Sequence, residues 1–318
     1  MLALDLICQA RRRLHGLVRR TPLAHSIALS RRLNASAHLK LECLQKTGSF
    51  KPRGAFNKML SLSADQRGRG VVAVSGGNHA QGVAYAARHL GISAVLCMPQ
   101  NTPRNYLDAT RDYGAEIILT PDIRAAFAEV ERLVAQGRVL VHPFDDPLVA
   151  AGQGTIGLEI LDDLPGLTHL YVSIGGGGLI SGIASAVKAV KPDVRIIGVE
   201  TEGADAMAQS LAANRLVELP AITSIARTLG APKVSEFTLR TVQELVDEVI
   251  VVDDAATAQA TFWLLERTKQ LIEPAGACCL VAAERCGHRA DDHVVLLACG
   301  GNVSLTDLVT FHSRFAAP

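Results

Sequence analysis

Aromatic residues are scarce, charge of neither sign dominates, and no two cysteines form a C-x-x-C pair. Only 4% of the 318 residues are Phe, Trp or Tyr, too few for base-stacking platforms. Lys and Arg number 32 against 31 acids, a formal net charge of +1, so the basic face that a nucleic acid partner requires is not expected. The seven cysteines, at 8, 43, 97, 278, 279, 286 and 299, are odd in number, which argues against a disulfide framework or a zinc knuckle. They favour a reducing, cytoplasmic compartment. No apolar run reaches the ~18 residues that span a bilayer, so no membrane partner is expected. H-E-x-x-H and G-x-S-x-G are missing. Ser185–Lys188 matches S-x-x-K and Lys46–Gly48 matches K-T-G, but their order is reversed and S-D-N is absent, so both are chance matches. His288 and His293 have a loose metal-like spacing beside Arg289 and two aspartates, and read as a solvated loop.

What the chain has is ample core material, 48% hydrophobic, and a regular alternation of strand-like and helix-like segments. Residues 4–18 carry many arginines and one acid, Asp5, and read as a surface helix rather than a transit peptide. Strands are expected at 71–75, 93–99, 116–120 and 139–143, with helices at 79–90, 104–113 and 123–135. That is the rhythm of a small four-stranded doubly wound unit. Larger units follow, with helices at 148–161, 179–190, 255–269, 276–286 and 304–314 and strands at 169–174, 194–200, 248–252 and 293–299. Leu216–Glu236 is less regular. The class is α/β with two doubly wound parallel-sheet domains: a discontinuous large one, 1–65 with 144–318, and a small one, 66–143.

Four segments carry chemistry. Ser49-Phe50-Lys51-Pro52-Arg53-Gly54-Ala55 places a lysine where a polar loop turns into an apolar helix. Desolvation there lowers the amine's pKa and leaves a nucleophile able to form a Schiff base. Gly175-Gly176-Gly177-Gly178 follows a strand and opens a helix, so bare backbone N–H groups converge on an anion. A dinucleotide would require Gly or Ala at the sixth position, where Ile180 or Ser181 stands, so a phosphate monoester is preferred. Ser75-Gly76-Gly77-Asn78-His79 sits at a similar junction and suits a carboxylate, although Ser and Asn also serve as plain helix caps. Cys299-Gly300-Gly301-Asn302 ends the last core strand at its carboxyl end, where α/β proteins bind ligands.

Taken together, these motifs resemble the fold-type II enzymes that use pyridoxal phosphate, and within them the serine/threonine dehydratase and serine racemase family. Thr21-Pro22-Leu23, Gly152-Gln153-Gly154-Thr155 and Glu273-Pro274-Ala275-Gly276 extend the resemblance over nearly the whole chain. It implies the tryptophan synthase β-like fold and pyridoxal 5′-phosphate joined to Lys51. Lys51 would also take the substrate's Cα proton. Phe50 would pack against the pyridine ring, and Asn78 would bond its O3′. Gly175, Gly176, Gly177, Gly178 and Leu179 would hold the phosphate, Cys299 would face the ring nitrogen, and Glu273 would lie near the ring. Ser75, Gly76, Gly77, Asn78 and His79 would line the substrate carboxylate site. A thiol cannot keep the pyridine protonated as an Asp does, and a neutral ring suits prompt loss of a β-hydroxyl.

The resemblance implies conversion of L-threonine or L-serine to a 2-oxo acid and ammonia. Phenylserine, 3-hydroxyaspartate or a hydroxyectoine product are alternatives, and no arginine within the motifs awaits a second carboxylate. Serine racemases carry a serine at the place of Gly76, so little racemisation is expected. Some relatives bind a divalent cation through a glutamate and an aspartate six residues on. Glu200 matches the first but Ala206 stands at the second, so no metal is expected. The chain ends soon after Cys299, which implies no isoleucine-responsive regulatory domain. Relatives are dimers or tetramers, so a homo-oligomer is expected. From other classes, an NAD-dependent oxidoreductase fails at the sixth glycine position, and a retired, ligand-binding scaffold would not have kept Lys51, Asn78 and the tetrad.

Overall fold

The computed structural model describes residues 1–315. Ten strands form two sheets: β1 (Leu23–His25), β2 (Ser36–Lys40), β3 (Val71–Val74), β4 (Ala94–Pro99), β5 (Glu116–Thr120), β6 (Val139–Leu140), β7 (His169–Ser173), β8 (Arg195–Thr201), β9 (Glu248–Val252) and β10 (His293–Leu297). The helices as far as β6 are α1 (Leu4–Leu14), α2 (Ile27–Leu33), α3 (Lys51–Leu60), α4 (Ala64–Arg69), α5 (Asn78–Leu90), α6 (Arg104–Asp112) and α7 (Ile123–Ala135). Beyond it come α8 (Pro147–Asp163), α9 (Gly178–Val190), α10 (Ala206–Ala213), α11 (Glu236–Leu245), α12 (Asp254–Thr268), α13 (Pro274–Cys286) and α14 (Leu305–Phe315).

The small sheet has the order β5-β4-β3-β6 and is parallel throughout. Helices cover both faces, so its strands are apolar on both sides. In β3, Val71 and Ala73 join the core under α5, while Val72 and Val74 join the core under α7. Each fully buried valine there contributes roughly 1.5–3 kcal/mol. The large sheet has the order β1-β2-β10-β7-β8-β9. It is parallel except at the β1 edge, which pairs antiparallel with β2, so the expectation of a purely parallel sheet gives way there. The β1–α2–β2 segment is not foreshadowed in the sequence, because a three-residue strand is too short to show a period. Helices α10 and α11 are likewise additions to the expected pattern.

Three expected elements end early by two or more residues, each for an identifiable reason. Helix α1 stops at Leu14 rather than 18, because Gly16 adopts φ 75°. Strand β6 stops at Leu140 rather than 143: the Val141 N–H still bonds the Val72 carbonyl, but Pro143 has no N–H to continue. Strand β10 stops at Leu297 rather than 299, because the chain beyond it turns to another partner. The Ala298 carbonyl accepts from Cys43 N–H at 2.9 Å and the Cys299 carbonyl from Phe50 N–H at 3.1 Å. That diversion stitches the end of β10 to the segment bearing Lys51. Among the described residues no helix is long and apolar enough to cross a membrane.

Candidate functional site

Lys51 opens α3 with Pro52 behind it, at a position where a missing N–H costs nothing. Two residues on, Arg53 is buried in a closed ionic cluster. Its guanidinium donates to Glu42 Oε2 at 2.9 Å and Oε1 at 2.8 Å, and to Glu159 Oε1 at 2.7 Å and Oε2 at 2.9 Å. Lys40 Nζ completes the cluster at 2.7 Å from Glu159 Oε2. Two cations and two carboxylates cancel, and breaking such a pair costs about 3–5 kcal/mol. The cluster ties β2, the Glu42 turn and α8 to α3, and so fixes the place of Lys51.

No carboxylate bonds Lys51 in this way. Its Nζ donates to the Pro143 carbonyl at 3.2 Å and lies 4.9 Å from the centre of the Phe50 ring. Burial pushes the ammonium down to about 8, against weaker upward pulls from Cys299 and Glu273. Phe50 is buried and presents its ring to the amine.

Helix α5 begins with Gly77 at its cap and no side-chain cap bond, so Ser75 and Asn78 are not spent on capping. Ser75 Oγ accepts from Gly77 N–H at 3.0 Å. Asn78 Nδ2 donates to Glu273 Oε1 at 2.8 Å, and Asn78 Oδ1 accepts from Asn302 Nδ2 at 2.8 Å. One amide N–H of Asn78 remains for a ligand. Glu273 also accepts from Thr228 Oγ1 at 2.9 Å and from Asn302 N–H at 3.2 Å. Its burial outweighs these donors and raises its carboxyl above the usual range. His79 Nε2 bonds the Val141 carbonyl at 2.8 Å, and burial takes the ring down to about 3. The imidazole is therefore neutral with its proton on Nε2, and any anion at this turn meets the backbone of His79 rather than its ring.

The glycine tetrad joins β7 to α9. Gly177 caps α9 at φ +90° with no side-chain cap, so the first N–H groups of the helix have no partner from it. A Cβ on Gly176 would lie 2.1 Å from the Phe144 ring, one on Gly177 2.7 Å from Thr238, and one on Gly178 2.8 Å from Phe144 Cα. Gly175 is constrained less severely by the Leu229 backbone, whose carbonyl is 3.0 Å from the Cβ position. Leu179 is buried in the large core, so only its backbone can serve a ligand. Cys299 is buried at the carboxyl end of β10, and Ser173 Oγ at the end of β7 donates to its Sγ at 3.5 Å. Burial, with Glu273 nearby, keeps that sulfur a neutral thiol well above its usual range.

The structure thus gathers the lysine, the tetrad-bearing turn, Asn78, Glu273 and Cys299 at the carboxyl ends of the strands, through Lys51, Asn78, Glu273 and Ser173 as links. Sequence reasoning overlooked four residues here: Phe144, Thr228, Asn302 as a hydrogen-bonding side chain, and Thr102. Thr102 Oγ1 is buried with no hydrogen-bond partner and lies 2.9 Å from a Cβ placed on Gly76. Only a rule that loops at the carboxyl ends of parallel strands contact ligands could have marked Thr102, which lies just beyond β4. Glu200, weighed as a ribose or metal ligand, is buried at the end of β8. Its two oxygens accept the Met207 and Ala208 N–H groups at 2.9 and 2.7 Å and so cap α10.

Pyridoxal phosphate fits these residues. The amine bonded only to a backbone carbonyl, the uncapped glycine turn and a neutral thiol match its aldehyde, phosphate and ring nitrogen in kind. Ser49 Oγ, His79 Nδ1 and Thr102 Oγ1 are buried without partners around the same turns, as expected of groups kept for a ligand.

The family described as "Pyridoxal-phosphate dependent enzyme" matches residues 14–300. An L-threonine ammonia-lyase of Geobacter sulfurreducens is 45% identical over 96% of this chain and 77% of its own length. The catabolic L-threonine dehydratase TdcB of Escherichia coli K12 is 39% identical over 96% of this chain and 94% of its own. Among solved structures, maize serine racemase superposes with a TM-score of 0.93 at 38% identity, covering 98% of this chain and 97% of that one. The T.th. threonine deaminase gives 0.90 at 40% identity, covering 95% and 99%. Cofactor, fold and sequence agree, and the chain belongs to the pyridoxal-phosphate dependent enzymes as an ammonia-lyase-type member of fold-type II.

Proposed function

We propose that the chain dehydrates L-threonine, with L-serine as a second substrate, to a 2-oxo acid and ammonia. The observation that carries this reading is a lysine amine held near pKa 8 by burial, beside a turn of bare N–H groups, in a chain whose relatives are threonine ammonia-lyases. Bound pyridoxal phosphate supplies the carbonyl that engages the substrate amine and a ring that spreads charge developing at Cα. Lys51 would hold the cofactor and, once free, would accept the Cα proton at Nζ, which its lowered pKa leaves neutral for a substantial fraction of the time. Backbone N–H groups of Gly175–Leu179 would hold the phosphate. Asn78, with one amide N–H to spare, and Phe50 would hold the ring, and the Ser75–His79 turn would receive the substrate carboxylate. Cys299, a neutral thiol, would stand at the ring nitrogen without protonating it, an environment that suits loss of a β-hydroxyl. Glu273 orients Asn78.

The same reading divides the chain into a small unit, 66–143, and a large one, 1–65 with 144–318. It also takes the working form to be a cytoplasmic dimer or tetramer, which sedimentation of the purified protein checks. The decisive assay is 2-oxo acid release from a panel of 3-hydroxy amino acids, with Lys51→Ala as the blank. Threonine should give the highest kcat/KM, and Lys51→Ala should lose about 10³ or more. Borohydride reduction and peptide mapping should place the cofactor on Lys51. A cofactor on another lysine, or a faster rate with phenylserine than with threonine, overturns the reading.

A further inference from the structure

At the opposite, amino ends of the large-sheet strands stands a cluster that the reaction does not use. His169 is the first residue of β7, His288 follows α13 by two residues, and Asp292 immediately precedes β10. One ligand atom from each lies within 4.8 Å of the other two. The reading of His288 as part of a solvated loop is therefore corrected: it is half-buried, and its ring packs edge-on against His169 with centroids 5.0 Å apart. His288 finds a partner in His169, not in His293.

The surroundings prepare these groups as ligands. His169 Nδ1 is 2.9 Å from Thr168 Oγ1. That hydroxyl also donates to the His293 carbonyl at 3.0 Å and accepts from the His293 N–H at 2.9 Å, which fixes the His169 ring beside Asp292. His288 Nε2 lies 3.2 Å from the Tyr171 hydroxyl, and its Nδ1 is buried without a partner. Asp292 commits Oδ2 to the Arg289 N–H at 2.8 Å, while Oδ1 stands 3.7 Å from His169 Nδ1. The facing cation, Arg195, is paired with Glu248 at 2.9 Å.

We infer that His169, His288 and Asp292 form a binding site for a divalent metal ion of the zinc class, with water as the fourth ligand. Two imidazoles and one carboxylate suit Zn²⁺, Co²⁺ or Ni²⁺ rather than Mg²⁺ or Ca²⁺, which take all-oxygen sets. Bonds of about 2.0–2.2 Å bring tetrahedral ligand atoms to roughly 3.2–3.6 Å apart, so side-chain rotations that draw them in by about 1 Å suffice. His169 and Asp292 each keep 16% of their side chains exposed, which gives the ion a way in and the water a place. The ion would clamp the α13–β10 turn to the first residue of β7. The Cys299 end of the sheet lies four residues up β7, roughly 13 Å away at 3.3 Å per residue, so the clamp is independent of the cofactor.

The test uses the cofactor-loaded enzyme, freed of metal with EDTA and titrated with CoCl₂ and, by calorimetry, ZnCl₂. One Co²⁺ per chain should bind with ligand-field absorption of a low-coordinate nitrogen–oxygen site, and Zn²⁺ should displace it and raise the melting temperature. His169→Gln and His288→Gln should each weaken binding at least tenfold, while Cys286→Ser, which removes the nearest thiol, should not. The cofactor absorbance and the rate of 2-oxo acid release should stay at the parent's values in all three. Should a histidine variant lose its fold, Asp292→Asn provides the same readout at unchanged volume. Binding that is equal in the parent and the His169→Gln/His288→Gln variant, or no saturable zinc binding in the micromolar range by the parent, overturns the inference.

Discussion

Two strand-to-helix turns face each other across this site, β3 to α5 and β7 to α9, and they treat their glycines differently. At Gly175–Gly178 the glycines are there because nothing else fits: Phe144, Thr238 and Leu229 occupy the space a side chain would take. At Gly76–Gly77 the neighbours are side-chain tips, Thr102 Oγ1 at 2.9 Å and Thr228 Cγ2 at 3.5 Å. On the proposed function, the first turn would be a rigid cradle for a ligand that stays, and the second, bounded by side-chain tips that can shift, would serve one that comes and goes. A resident cofactor and a transient substrate would call for that division.

Substitution should separate the two turns. Gly176→Ala drives a methyl into the Phe144 ring and should destabilise the protein by about 2 kcal/mol or more. Its affinity for pyridoxal phosphate should fall at least tenfold in equilibrium dialysis, and Phe144→Ala should restore part of the loss. Were Gly176→Ala to bind the cofactor normally, the cradle would not be rigid. Gly76→Ala meets only a hydroxyl, so its melting temperature should stay near the parent's, and its cofactor affinity should not change. The effect should appear in the KM for threonine, with Thr102→Ala relieving it. Because Gly76 has no proton to donate, D-serine formation should remain far below the pyruvate rate, which chiral chromatography reads directly.

The lysine between the turns adds a pH dependence. Its folded value of about 8 lies below the ordinary 10.5, so the folded protein binds fewer protons than the unfolded chain between those values. Stability from this group therefore rises with pH from about 8 to 10.5, and the full burial penalty applies below 8. Capture of pyridoxal phosphate by the apoprotein, followed by absorbance, should quicken about tenfold per pH unit up to that midpoint and then level off. A midpoint near 10 would show an amine in contact with bulk water. The smallest expected effect is Thr102→Val, which keeps shape and removes the orphan hydroxyl. It should raise the KM for threonine a few-fold with little change in kcat, and an unchanged KM would remove Thr102 from the substrate's surroundings.

Much of this is legible in the sequence, for reasons that differ by element. Helices closed by Gly91 and Gly114 and the four strands of the small sheet are marked by apolar runs and left-handed glycines, and they lie within a few residues of their expected places. The lysine, the tetrad and Asn78 are visible as motifs because their chemistry needs particular residue types at fixed places along the chain. Phe144, Thr102 and Thr228 are not, because their contribution lies in contacts between distant parts of the chain, 45 residues apart for Thr228 and Glu273. The end of β10 departs from expectation for a related reason: the Ala298 and Cys299 carbonyls answer to Cys43 and Phe50, far off in the chain, which no local pattern announces.

The knot around Arg53 carries a consequence for how this enzyme should fail. Two cations and two anions neutralise each other away from water, so added salt has little to screen. Because the knot joins three separated stretches of chain, at residues 40–42, 53 and 159, the lysine-bearing helix has no private route to unfolding. Cofactor escape under heat or urea should therefore coincide with collapse of the whole core, and inactivation should leave few half-assembled molecules behind.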